Sequence, residues 1–145
     1  MKRTVYHPPA SALPPGFKFP KAYLDYVSQD EVPDMEPWYL MCLLTDTIYT
    51  GYYDGWLDIV KKQYPDRQLV PFAKWDLDDD IACFELSEDP ELPSIHFIHS
   101  FTKPGYEERG SCATFEEWLE VALGEAAAYH ADFPAAEDDE YPLIP

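Results

Sequence analysis

Residues 69–86 read LVPFAKWDLDDDIACFEL, two apolar runs of strand length separated by aspartates at 76, 78, 79 and 80. Aspartate bends the backbone by hydrogen-bonding neighbouring amides. The stretch therefore predicts two short strands joined as a hairpin at DLDDD. A turn needs one or two such residues, and four closely spaced carboxylates repel one another. Three explanations compete for the excess: a bare turn, a metal loop, and negative charge offered to a partner. Asp76, Asp78 and Asp80 match the D-x-D-x-D opening of a calcium loop. Ile81 stands where that loop needs glycine, however, and Ser87 where it needs a bidentate glutamate. A chain without those two residues cannot turn around a calcium ion or complete its coordination, which favours the turn and the partner over the metal.

Working outward, SIHFIHSF (94–101) supplies a third strand, with Ile95, Phe97, His99 and Phe101 on one face. WYLMCLL (38–44) is a continuous apolar run, as expected of a strand buried on both faces. Helical spacing appears three times. FPKAYLDYV (19–27) has Pro20 at a helix start and apolar Phe19, Tyr23, Tyr26 and Val27. Residues 46–64 place Tyr49, Tyr53, Trp56, Val60 and Tyr64 near one stripe, with Gly51 and Gly55 weakening the first turns. Thr114 with Glu117 forms a capping box. Behind it Phe115, Trp118, Leu119, Ala122, Leu123, Ala126 and Tyr129 make the longest stripe of the chain. SQDEVPDMEP (28–37) reads as an acidic connector and TKPGYEERGSCA (102–113) as a loop. Strands that follow one another without βαβ alternation predict an α+β fold: one central antiparallel β-sheet flanked by α-helices.

A chain of 145 residues suits one domain. The expected division is a proline-rich N-terminal arm over 1–16, the folded domain over 17–131, and an acidic tail over 132–145. Ten basic against 28 acidic residues give a net charge of −18. Nucleic acid and anionic membrane would both repel such a chain, whereas a cationic partner would attract it. The three cysteines, Cys42, Cys83 and Cys112, form no CxxC, and two of them sit inside apolar runs. Free thiols in a reducing compartment are expected rather than disulfides or zinc. MKRTVYHPPASALPPG has no apolar segment behind its basic residues, and no stretch approaches a membrane span. These features predict a cytoplasmic protein.

Catalytic patterns do not assemble. His96 and His99 form H-x-x-H, but on a strand they point to opposite faces, so His99 is expected as a hydrogen-bonded core histidine. RGSCA around Ser111 and Cys112 is neither a nucleophile elbow nor a cysteine-protease signature. Glu107 and Glu108 beside Arg109 read as a solvated loop. The expectation is a protein that is not an enzyme and carries no cofactor or metal. The residues favoured for partner contact are Asp76, Asp78, Asp79 and Asp80, with Trp75 beside them. Tyr52 joins them, because it falls off the helical stripe and is expected at the surface.

The order FKFPKAYLDYV (17–27), WYLMCLL, YPDRQLVPFAKWDLDDDIACFEL (64–86), IHFIHSFTKPGYEERG (95–110) and FEEWLEVAL (115–123) resembles the SMI1/KNR4 superfamily, also called SUKH. The likeness covers most of residues 17–123. The commoner family pattern is glycine-rich near the acidic turn, and its absence here marks a divergent, bacterial-type member. The resemblance implies an antiparallel sheet with flanking helices. It also implies an immunity protein, one that binds and neutralises a bacterial toxin domain, often a basic one. Fungal relatives imply the alternative of a regulatory scaffold without a toxin partner. A metal-dependent enzyme using the Asp76–Asp80 carboxylates is a third possibility. The family offers no catalytic residues to carry over, and the oligomeric state is left open.

Overall fold

The computed structural model of the chain describes residues 5–43, 50–86 and 92–132. Five strands, β1 (Trp38–Leu40), β2 (Leu69–Trp75), β3 (Asp80–Glu85), β4 (Ser94–His99) and β5 (Glu108–Cys112), pair in chain order as one antiparallel sheet. Three helices, α1 (Lys21–Val27), α2 (Thr50–Gln63) and α3 (Phe115–Asp132), pack against it. The fold is α+β.

The hairpin of β2 and β3 lies at the centre, and its alternation sorts the two faces. Phe84 opposes Ile95 and Ala82 opposes Phe97. On that face the Phe72 and Phe84 rings stack at 4.3 Å, and Tyr23 of α1 and Trp118 of α3 close over them. The other face carries Ile81 opposite Ile98 and Cys83 opposite His96. There α2 lies against β2, with Tyr53, Leu57 and Val60 buried. Burying these aromatic and aliphatic side chains contributes about 1.5–3 kcal/mol each. The cap of α3 forms as its sequence predicts. Glu117 N–H donates to Thr114 Oγ1 at 3.1 Å, while Glu117 Oε1 reaches past the cap residue to accept from Ala113 N–H at 2.8 Å.

Four local expectations change. The apolar run 38–44 is a strand only over Trp38–Leu40, then turns through a 3₁₀ segment, Met41–Leu43; Leu44 is outside the described residues. Trp38, Leu40, Met41 and Cys42 are buried all the same, because apolarity reports burial and leaves conformation open. The helix expected over 46–64 is described from Thr50 to Gln63, and Tyr49 is outside the described residues. β4 stops at His99, so Phe101 leaves the apolar face and enters a turn with φ 65. The expected loop 102–113 contains β5. That strand shows little apolar alternation because it is an edge, and Arg109 is the extra residue where Gly110 opposes Phe97 and Glu108 opposes Ile98.

From Val5 the N-terminal arm lies along the domain. Tyr6 N–H donates to Cys42 O at 2.9 Å, and Tyr6 OH donates to Asp54 of α2. The stretches 1–4 and 133–145, including nearly all of the expected acidic tail, are outside the described residues. Among the described residues no helix is long and apolar enough to cross a membrane.

Candidate functional site

The β2–β3 turn is built by its own aspartates. Asp78 Oδ1 accepts the Asp80 amide at 2.9 Å, an Asx-type closure. Lys74 folds beneath the turn and donates from Nζ to Trp75 O at 2.6 Å and to Asp78 O. One ammonium under four carboxylates offsets part of their repulsion while its positive charge is turned inward. Asp76, Asp78 and Asp79 are exposed, and Asp80 is half-buried. The acidic surface continues onto the strand beside it. Asp76 N–H donates to Pro37 O, and the Tyr39 hydroxyl is pushed up to about 12 by burial, then by Glu36, Asp76 and Asp34.

A second loop, residues 100–107, is fastened to the same end of the sheet. Ser100 donates from both N–H and Oγ to Asp79 O, at 3.1 and 2.6 Å. Phe101 N–H donates to Gln63 Oε1 at 2.8 Å, and its ring tilts against Trp56 at 6.1 Å. The Phe101 side chain is nevertheless 61% exposed, and Leu77 and Tyr106 are 56% and 69% exposed. A phenylalanine in the left-handed region is uncommon and costs backbone energy. Leu77 sits on the turn that carries the aspartates, and Phe101 and Tyr106 sit on the loop that Ser100 fastens to it.

That loop is anchored by a network absent from the sequence expectations. Arg67 donates bidentately to Glu85, with Nε to Oε2 at 2.9 Å and Nη2 to Oε1 at 2.8 Å. It also donates to Glu107 Oε2 at 2.9 Å and Glu108 Oε1 at 3.0 Å. Glu107 is buried, and its Oε1 accepts Gly105 N–H at 2.7 Å. Burial would raise the Glu107 pKa, yet Arg67 and the backbone amides hold it below the usual carboxylate range. The Arg67 hydrogen bonds, against the cost of burial, lower Glu85 as well. Glu107 and Glu108 are therefore ordered anchors, contrary to a solvated loop. Their partner stands about 40 positions earlier in the chain, so no local pattern connects them.

The favoured contact residues divide. The four aspartates come together at the turn. Trp75 is half-buried against Trp38, ring to ring at 5.1 Å. Tyr52 is half-buried beside Trp56 rather than fully at the surface, although Asp76 lies near enough to raise its hydroxyl pKa after burial does so. His96 and His99 do point to opposite faces. His96 joins Glu85 and Glu108, while His99 stands at the rim, Nδ1 2.5 Å from Asp80 Oδ1, and is not a core residue. Asp78, Asp80 and His99 bring ligand-type atoms within 4.8 Å of one another, but Asp80 already occupies the imidazole. Away from this end, a cleft of about 210 Å³ between the arm and α2 is lined by Leu13, Pro15, Leu57 and Leu69. It falls below the ~300 Å³ at which small-molecule sites begin.

No protein-family model, curated protein or solved structure matches the chain. What this surface does rests on its own chemistry.

Proposed function

We propose that the chain is a non-catalytic protein-binding module of the SMI1/KNR4 type, an immunity protein that captures a basic toxin domain in the cytoplasm. The observation that carries this is Phe101, exposed on a left-handed backbone beside the four aspartates. Carboxylates of one sign raise the rate of encounter with a basic surface, and aromatic anchors slow departure. Leu77 on the turn and Tyr106 on the loop add exposed apolar surface, and Asp76, Asp78, Asp79 and Asp80 supply the negative charge at this end. Free Cys42, Cys83 and Cys112 suit a reducing compartment.

The test begins with tagged protein as bait in lysate of the source organism, eluted by rising salt. A basic protein should elute as salt rises, and it should kill cells when expressed without this chain. With that partner in hand, replacing the four aspartates by asparagine should slow association and flatten the salt dependence. Phe101→Ala with Tyr106→Ala should speed dissociation instead. Unchanged kinetics in both variants would remove the proposed surface. A neutral or acidic partner without toxicity would favour the regulatory scaffold.

A further inference from the structure

Asp34, Glu36 and His130 meet at the entry of β1, next to the hairpin turn, where Asp76 N–H donates to Pro37 O. They come from the segment leading into β1 and from the last turn of α3, and their ligand-type atoms lie within 4.8 Å of one another. His130 Nε2 is shielded from solvent and has no hydrogen-bond partner. It points toward Asp34 Oδ2 at 3.6 Å, too far for a hydrogen bond. Two ligands bound to one metal at about 2.0–2.1 Å and the tetrahedral angle stand roughly 3.3 Å apart, which is close to this separation.

The carboxylates are held in place. Asp34 Oδ1 accepts Glu36 N–H at 3.0 Å, which leaves Oδ2 for the histidine. That turn fixes the backbone from which the Glu36 side chain projects. Trp38 Nε1 donates to Glu125 Oε1 at 2.8 Å, fixing the register of α3 against β1 about one turn before His130. Among the described residues, the ion-pair partner of Asp34 is His130 itself and neither carboxylate meets a lysine or arginine. The Asp78, Asp80 and His99 group differs on this point, since its imidazole nitrogen already has Asp80 at 2.5 Å.

We infer that Asp34, Glu36 and His130 bind one divalent transition-metal ion of the zinc class, clamping the end of α3 to the entry of β1. One imidazole nitrogen with two carboxylates is a mixed borderline set that suits Zn²⁺ or Co²⁺ better than Ca²⁺. Three protein ligands leave a fourth position, and Asp34, 70% exposed, places it toward solvent.

The test uses tag-free full-length protein titrated with Zn²⁺ by calorimetry, and with Co²⁺ by visible absorption. One ion per chain should bind, with tetrahedral Co²⁺ bands. His130→Ala and Glu36→Gln should each weaken binding by about 100-fold or more. A double variant, Asp78→Asn with His99→Ala, should bind like the parent. Circular dichroism of metal-free His130→Ala should match the parent, because the residue sits half-exposed at a helix end. Absence of binding to the parent chain overturns the inference. So does binding that survives His130→Ala within threefold, or binding lost with the Asp78 and His99 pair.

Discussion

Replacing Arg67 by methionine keeps much of the side-chain volume and removes the charge at the centre of the loop anchor. The consequence is set by what is left behind. The Glu107 side chain is only 7% exposed, so its carboxylate would stay buried without a counter-ion. Breaking a buried pair from one side costs about 3–5 kcal/mol. Gly105 N–H still serves Glu107, and Glu85 and Glu108 can turn to water, which places the loss near ~3 kcal/mol. For a domain of this size that is a fall of about 10 °C in Tm. Urea denaturation should show a lower midpoint at unchanged slope. The loss also has a pH signature. Glu85 and Glu107 titrate below their ordinary 4.5 in the folded chain. The stability they contribute is thus complete above that value and disappears as pH falls through their folded pKa values. The gap between parent and Arg67→Met should therefore narrow below about pH 4.5, and adding Glu107→Gln should restore part of the loss. A loss under ~1 kcal/mol at pH 7, or one that does not change toward acid, would refute the reasoning and make Arg67 an ordinary surface cation.

Two further predictions concern stability and thiol chemistry. Thr114→Ala removes the acceptor for Glu117 N–H and should cost about 1 kcal/mol by urea denaturation, whereas Thr114→Ser should be near neutral. Cys42 and Cys83 are fully buried, while Cys112 is half-buried with its thiol raised by burial and then by Glu117 and Glu125. An aromatic disulfide reagent at pH 8 should titrate one thiol slowly in the native protein and all three in denaturant; rapid reaction of two native thiols would contradict this packing.

The sheet was legible where local chemistry and burial agree. Residues 69–86 carry two apolar runs around turn-forming aspartates, and the chain folds there as a hairpin because both signals act over a few residues. Thr114, Glu117 and the stripe behind them place α3 for the same reason. Apolar residues 38–44 announced burial but could not announce the 3₁₀ turn at Met41, since a strand and a tight turn bury the same side chains. β5 was hidden because an edge strand with glutamate, arginine and glycine has no face to bury, and its pairing to β4 supplies the order that its composition lacks.

The candidate sites divide along the same line. That four aspartates crowd one turn is a property of the sequence. That Phe101 stands exposed beside them depends on where β4 ends, and on Gln63, Tyr64 and Ser100 catching the loop. Arg67 meets Glu107, and His130 faces Asp34, across long stretches of chain. Composition, turn chemistry and helix caps were decided by neighbours in sequence. The ion pairs, the exposed aromatic and the placing of His130 against Asp34 were decided by packing, because coulombic and hydrogen-bond contacts depend on distance in space.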